Sequence, residues 1–307
     1  EVIGGVKYER TSSVYYIIAA VIFFSVLFTT IGGIRRVTKV TDVLVPVMAV
    51  IYMLIILFII CVNLKLIPYF FTEVIKGAFS PKAIFGGAFG VALAQGIKRG
   101  LMSNEAGQGT ITMAAAVADN EHPCEQGFVQ SIGVFLDTIV ICTLTGFVVV
   151  MAHLWSNGAS GVEWEAIKNS KLDVYLNSIQ YLIPGQSFDA VIKCIISLCY
   201  GLFAFTTLIG LILFTEISGS FISTNKHFIF FLRLLGAVLF VPFGELTVLS
   251  GLELGNLWYI SDFINIMIVY ANVPVILLGT GIVTKTLDHY IRTNGKKFIS
   301  KEIGIDT

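Results

Sequence analysis

The chain has 307 residues, of which 56% are hydrophobic and only 13% are charged, and its formal net charge is zero. This composition excludes a soluble globular domain, and it offers no basic surface for nucleic acid. Apolar stretches long enough to cross a bilayer as helices recur along the chain, whereas the alternating strands of a membrane barrel do not. The sequence therefore predicts an all-α polytopic membrane protein whose partners are small solutes and the lipid bilayer.

Metal and cofactor sites are not indicated. The five cysteines contain no CxxC pair and the four histidines lack the spacing of a metal site, so we expect no cofactor. The chain begins at Glu1 without an initiator methionine and has no signal-peptide pattern, so it is interpreted as a fragment of a longer protein.

Seven membrane spans are predicted in chain order. The first, 14–34, ends at a basic loop, 35–39, which the positive-inside rule assigns to the cytoplasm. The second, 43–62, returns outward, and the amphipathic segment 67–79 is expected to lie along the outer surface. The third, 85–102, goes inward and carries an interruption rich in glycine and charge.

The other spans alternate in direction: 126–153 outward, 188–221 inward, 227–246 outward and 258–283 inward. The polar stretch 154–187 is predicted to be an external loop with one amphipathic helix. The last span is interpreted as one helix bent at Asn272-Val273-Pro274, not as two short helices, because the basic residues after it assign the C-terminus to the cytoplasm.

The interruption of the third span predicts a break in the helix near Gly96. Glycine leaves helical backbone angles at little cost, and the unwound turns of secondary transporters expose N–H and C=O groups that bind solutes. Gln95, Gly96 and Ile97 are therefore candidate substrate-binding residues. From their spacing alone, the glycines are also consistent with simple packing notches between helices.

Two adjacent hydroxyl residues, Thr206 and Thr207, interrupt a second apolar stretch. Taken alone, they are as consistent with hydrogen bonds to the preceding helical turn as with a binding role.

Ordered motifs run along the chain: Arg99-Gly100-Leu101-Met102-Ser103-Asn104-Glu105-Ala106-Gly107-Gln108-Gly109, His122-Pro123 with Gln126-Gly127, Gly133-Val134-Phe135-Leu136-Asp137-Thr138, Cys142-Thr143, and Leu202-Phe203-Ala204-Phe205-Thr206-Thr207. They resemble the alanine or glycine:cation symporter family, and the resemblance covers essentially the whole chain. It implies a LeuT-type fold of two inverted five-helix repeats preceded by one extra helix. It also implies cotransport of a small neutral amino acid with Na⁺.

On that map the chain would hold core helices four to ten of such a fold. Residues 1–64 would end the first repeat with core helices four and five, and 65–82 would be the outer amphipathic segment. Residues 83–290 would form the second repeat, with core helices six to ten, and 291–307 a cytoplasmic tail.

The resemblance also implies roles for single residues. Thr206 and Thr207 would coordinate Na⁺ together with the carbonyl of Phe203, since oxygen ligands suit a hard cation. Leu211 would line the substrate pocket at a position where the family usually has a tryptophan.

Charged and amide residues near the interruption are interpreted as gating or structural. Asn104 and Glu105 would cap the helix that follows, 109–117, or close an inner gate with Lys98 or Arg99. Asp137 lies well inside a span, where a carboxylate indicates a functional role or a buried partner. Glu216 and Asp262, nearer to span ends, are expected to be solvated or paired.

The sequence thus predicts part of a secondary active transporter that imports alanine or glycine with Na⁺ across the plasma membrane, and not an enzyme. An inert or scaffolding membrane remnant is one alternative. An intramembrane hydrolase using Asp137 and Asp262 is a weaker one, because the glycine pattern of aspartyl intramembrane proteases does not precede Asp137.

Overall fold

The computed structural model describes residues 13–79, 88–152, 171–183, 186–249 and 254–304. Within those ranges every regular element is a helix, which confirms the all-α prediction. The α-helices are α1 (Ser13–Ile31), α2 (Ile34–Val62), α3 (Ile67–Phe79), α4 (Ala88–Ser103), α5 (Ile111–Ala116), α6 (Pro123–Phe135), α7 (Cys142–Met151), α8 (Lys171–Leu182), α9 (Gln186–Ile222), α10 (Lys226–Leu235), α11 (Val241–Leu249) and α12 (Leu254–Thr293). Two π-helical turns, Leu136–Ile141 and Gly236–Phe240, join α6 to α7 and α10 to α11.

Six helical stretches in the described ranges are long and apolar enough to cross a bilayer, and they match six of the seven predicted spans. Their bounds are Ser13–Ile31, Ile34–Val62, Pro123–Met151, Ala190–Ile222, Lys226–Leu246 and Tyr259–Thr293. The seventh predicted span corresponds to α4, a helix of 16 residues. Residues 85–87, where that span was predicted to begin, lie outside the described ranges.

The predicted basic loop at 35–39 is wrong, because these residues form the first turns of α2. The connection from α1 is made by Gly32 and Gly33 alone, and Gly33 has a φ of 64°, a left-handed angle that glycine adopts without strain. A tight glycine turn therefore takes the place of the longer loop. Arg36 folds back along α1 and donates a hydrogen bond to the Phe28 carbonyl at 2.7 Å.

The last span is a single helix and not two short ones, which confirms that part of the prediction. α12 continues through Pro274, although proline cannot donate a backbone hydrogen bond inside a helix. Residues 67–79, the predicted outer amphipathic segment, form helix α3, Ile67–Phe79.

The chain divides into two compact units, residues 1–80 with 143–256 and residues 81–142 with 257–307. In the first unit, Val26 and Val37 pack with Ile209, Ile212 and Ala237 in a buried apolar cluster. The cluster joins α1 and α2 to α9 and the second π-helical turn.

An ion pair joins α9 to α10 in the first unit. Arg233 on α10 donates from Nε to Glu216 Oε2 at 2.8 Å, and its Nη2 pairs with Oε1 at 2.5 Å. The guanidinium also lies against Gly33, where any Cβ would collide with it, and donates to the Ile31 carbonyl at 3.4 Å. Glu216 is therefore paired, as expected, and the bidentate contact links α9, α10 and the α1–α2 turn.

In the second unit α4 and α12 run in the same direction. Lys98 pairs with Asp262, and Met102 accepts from Asn265. Gly107, five residues after Met102, accepts from Asn272, seven residues after Asn265. The contacts advance together along both segments, which agrees with the prediction that the third and last spans cross the membrane in the same direction.

Candidate functional site

The predicted break at Gly96 is wrong. α4 is continuous from Ala88 to Ser103, so the carbonyls of Gln95, Gly96 and Ile97 lie within a helix and are not the free acceptors that were predicted. A Cβ at Gly96 would meet no atom within 4 Å, so neither packing nor a turn demands glycine there. Glycine permits a helix to unwind but does not require it to do so.

The helix ends seven residues later, at the Asn104–Thr110 loop. Glu105 and Gly109 have positive φ angles of 57° and 77°, which no helix tolerates. The Asn104 side chain accepts from the Ala106 amide at 3.1 Å, and the Thr110 hydroxyl donates to Glu105 Oε2 at 2.7 Å. Asn104 and Glu105 thus stabilise the loop itself, and α5 begins immediately after it at Ile111.

The first support of this loop comes from the π-helical turn Leu136–Ile141. Ser103 donates to Asp137 Oδ2 at 2.6 Å, and Asn104 donates to the Thr138 hydroxyl at 3.0 Å. Two motifs that are separate in sequence therefore meet in space. π-helical turns are often found at functional positions in helices, and this one presents Asp137 and Thr138 to the loop.

The second support is Asn272 on α12. Its amide donates to the carbonyls of Ala106 at 3.2 Å and Gly107 at 3.0 Å. Gly109 lies so close that a Cβ there would stand 2.5 Å from Asn272 Oδ1. The loop is therefore fixed on one side by α12 and on the other by the π-helical turn.

Lys98 and Arg99 face Asp262, and not the predicted carboxylate of Glu105. Lys98 Nζ lies 3.3 Å from Asp262 Oδ2, and Arg99 Nη1 lies 3.5 Å from Oδ1. Asp262 is only 8% exposed, and its buried charge is compensated by Lys98 and Arg99. The expectation that Asp262 is paired is confirmed.

A cavity of about 400 Å³ lies beside this ion pair, between α4 and α12. Its walls are mainly apolar and include Ile97, Leu101 and Val269, with Lys98 and Asp262 at one border. Among the predicted substrate-binding residues whose side chains the structure describes, Ile97 lines this cavity. The Gln95 side chain lies outside the described part of the chain.

The predicted sodium ligands lie on α9, in the first unit. The Thr206 hydroxyl is buried and donates to the carbonyls of Leu202 and Phe203, both at 3.0 Å. Thr206 Oγ1 and the Phe203 carbonyl oxygen are therefore adjacent, although the hydroxyl is hydrogen-bonded to its own helix. Thr207 is exposed, and Leu211 follows it by one turn with 46% exposure.

A cluster of three hydroxyls near Phe203 was not predicted. Tyr52 on α2 hydrogen-bonds Thr145 at 2.6 Å and Tyr175 at 2.8 Å, and its ring stands edge-on to Phe203 at 6.1 Å. Burial raises the pKa of Tyr175 on α8, with the charge and hydrogen bond of Tyr52 adding to the effect. Tyr52 is separated from these hydroxyl partners by 93 and 123 residues, so no local sequence pattern predicts the contact.

The candidate residues therefore divide between the two units. Gly96, Ile97, Arg99, Asn104 and Asp137 belong to the second unit. The α9 residues from Phe203 to Leu211 belong to the first. Asp137 bonds Ser103 and Asp262 pairs with Lys98, so the two aspartates of the hydrolase alternative are engaged with different partners.

Comparison with known proteins identifies the family. A family model described as "Sodium:alanine symporter family" matches residues 5–303 of this chain. The amino-acid carrier protein AlsT of Bacillus subtilis is 31% identical over 276 residues, which cover 90% of this chain and 55% of AlsT. The probable sodium/glutamine symporter GlnT of the same organism is 32% identical over 277 residues, 90% of this chain and 53% of GlnT.

The sodium/alanine symporter AgcS of Methanococcus maripaludis is 33% identical over 281 residues, which cover 87% of this chain and 55% of AgcS. The chain thus spans about half the length of the curated relatives it matches. The family is one of transporters and not of enzymes, in agreement with the sequence prediction. With nearly all of its residues matched and its membrane-length helices in place, the chain belongs to the sodium:alanine symporter family.

Proposed function

We propose that the protein imports alanine or glycine by symport with Na⁺ across the cell membrane. The observation that carries this proposal is the family match over residues 5–303, together with six apolar helices of membrane-spanning length. Among the relatives, AgcS is named a sodium/alanine symporter and GlnT a probable sodium/glutamine symporter. Alanine and glycine are the proposed substrates because the sequence motifs resemble the alanine or glycine:cation symporters.

In this proposal the sodium ion is bound by Thr206, Thr207 and the Phe203 carbonyl. The 3.0 Å separation of Thr206 Oγ1 and the Phe203 carbonyl oxygen supports it, because two oxygens at that distance can share one cation. When the Thr206 hydroxyl donates its single proton to the Leu202 carbonyl, its lone pairs and the Phe203 carbonyl oxygen remain to face the ion.

The proposed substrate site uses fewer groups than the sequence predicted, because the carbonyls of Gln95, Gly96 and Ile97 lie within a helix. Ile97 and Leu211 are exposed apolar side chains suited to contact a short aliphatic side chain. Gln95 and Gly96 remain substrate candidates through their position on α4, but not through unwound carbonyls. The LeuT-type repeat arrangement, with core helices four to ten and a cytoplasmic C-terminus, is part of the same proposal.

Arg99, Asn104, Glu105 and Asp137 are proposed to control the movement of the Asn104–Thr110 loop. Interruptions of membrane helices are tolerated where they are buried in protein or face a cavity, and transporters move around them. This loop is held by side-chain hydrogen bonds and by the Gly109 amide, which donates to the carbonyls of Glu105 and Ala106, and not by a continuous helical ladder. A few such bonds can be exchanged at a much smaller cost than unwinding a helix.

Uptake of labelled alanine and glycine into vesicles containing the full-length gene product tests the proposal. Uptake should depend on an inward Na⁺ gradient, and unlabelled alanine should compete with it. Vesicles without the protein provide the background. Uptake that is the same with and without the Na⁺ gradient would remove the symport proposal.

A further inference from the structure

A chain of hydrogen bonds joins the start of α6 to the end of α12 and to the half-exposed Glu302 in the tail after it. His122 Nε2 lies 3.1 Å from His289 Nδ1, and His289 Nε2 lies 2.9 Å from Glu302 Oε2. His122 is fully buried and His289 is 6% exposed. The proposed transport site uses none of these residues.

The backbone determines where the protons in this chain lie. The Cys124 amide donates to His122 Nδ1 at 3.1 Å, so that nitrogen has no proton, and His122 caps the N-terminus of α6. His122 Nε2 must then carry the proton and donate to His289 Nδ1. His289 Nε2 in turn carries the proton that goes to the Glu302 carboxylate. Both rings are therefore neutral, and each of their nitrogens is used.

This arrangement has no place for one more proton on either ring. A proton on His122 Nδ1 would face the Cys124 N–H, and one on His289 Nδ1 would face the N–H of His122. If His122 changed its tautomer to accept from a charged His289, its Nδ1–H would again face the Cys124 amide. Protonation thus removes either the helix cap or the bond between the two histidines.

Aromatic side chains and the tail enclose the pair. Tyr290 and Phe298 stand edge-on to the His122 ring at 4.8 Å and 5.1 Å. The Phe298 amide donates to the Glu121 carbonyl at 3.0 Å, which ties the tail to the residue before His122. In the described ranges the titratable groups that face the pair are Cys124 and Glu125 from α6, Tyr290 from α12 and Glu302 from the tail.

We propose that His122 and His289 form a proton-binding site whose occupation unlinks the start of α6 from α12 and its tail. The site senses pH independently of the proposed sodium and amino-acid sites, because its residues are different. Its ligand is a proton, and its output is the loss of the contact that holds residues 121–124 against residues 289–302.

The direction of the pH effect follows from the free-energy linkage. Burial, and then the neighbouring His289, lower the pKa of His122 below 6.5, while Glu125 partly opposes them. A group with a depressed folded-state pKa stabilises the closed form above its ordinary pKa and loses that effect as pH falls. The closed cluster is therefore favoured above about pH 6.5, and opening becomes about tenfold easier per pH unit below it, until the closed form is also protonated.

Amide hydrogen exchange in the full-length protein tests the site. After division by the intrinsic rate, the Cys124 amide and residues 294–304 should exchange slowly at about pH 7.5 and measurably faster at about pH 5.5. His122→Asn keeps an N-cap oxygen but removes the titrating ring, so its exchange should show no such pH step. His227→Gln changes an exposed histidine on α10 and should keep the full step.

A second measurement covers the case in which His122→Asn does not fold. Nitrogen NMR of the wild-type histidine rings should show two neutral Nε2–H tautomers above about pH 7. Equal protection of the Cys124 amide at both pH values, an unchanged step in His122→Asn, or Nδ1–H tautomers in the wild type would each overturn the proposal.

Discussion

Replacing Gly109 with alanine is expected to abolish most transport and to lower the thermal stability of the detergent-purified protein. The new Cβ would sit at a φ of 77° and only 2.5 Å from Asn272 Oδ1. The left-handed angle alone costs about 1–2 kcal/mol, and the collision adds about 1–3 kcal/mol or displaces Asn272 from the carbonyls that it binds. The Asn104–Thr110 loop would then lose its anchor on α12.

Gly127→Ala provides the matched control. Gly127 lies in α6, where an added Cβ would meet no atom within 4 Å, and alanine is the better helix former. Its stability should equal or exceed that of the wild type. If Gly109→Ala retained wild-type stability and transport rate, the structure of the loop would be wrong at this position.

Replacing Thr206 with valine is expected to weaken the apparent Na⁺ affinity of uptake by at least about tenfold, since the loss of groups that merely support a ligand already costs 10–100-fold in metal affinity. Valine keeps the branched shape at this buried position but removes the oxygen. The carbonyls of Leu202 and Phe203 lose only an extra donor, so folding should be little affected. Uptake as a function of Na⁺ concentration measures the change.

Two companion variants test whether the loss of Na⁺ affinity is specific to the proposed sodium ligands. Thr207→Val should also weaken Na⁺ dependence, because Thr207 is the second proposed ligand. Thr215→Val removes an exposed hydroxyl that bonds the Leu211 carbonyl two turns further along α9, and it should leave Na⁺ dependence unchanged. An effect of Thr215→Val equal to that of Thr206→Val would show that the loss of any such hydroxyl disturbs the helix.

The spans could be predicted because a bilayer imposes length and apolarity on every helix that crosses it. The bounds of α3 and the continuity of α12 through Pro274 followed from the same local patterns. The wrong loop at 35–39 has a local cause as well. The charge pattern marked basic residues correctly but could not show that a glycine with positive φ shortens the turn before them.

The position of the helix break could not be predicted, because distant residues determine it. Gly96 looked suitable, yet the chain departs from helical angles at Glu105 and Gly109, where Asp137, Thr138 and Asn272 provide the partners. These partners lie 34 to 166 residues away in sequence. Local sequence shows which residues can leave a helix, whereas tertiary hydrogen bonds decide which of them do.

The histidines illustrate the same limit. No spacing in the sequence relates His122 to His289, and the structure brings them into contact across 167 residues. The sequence motifs were more informative than the histidine spacing. Ser103 and Asn104 lie in one motif and Asp137 and Thr138 in another, and the structure joins the two by hydrogen bonds.

The coupling of amino-acid and sodium movement is the central claim. Sodium uptake driven by an alanine gradient tests it most directly. Vesicles containing the full-length protein are given equal Na⁺ on both sides, a trace of labelled Na⁺ outside and an inward alanine gradient. Symport predicts that labelled Na⁺ accumulates inside until the alanine gradient has dissipated, and that Thr206→Val reduces this accumulation. Alanine entry without any accumulation of labelled Na⁺ would contradict the account.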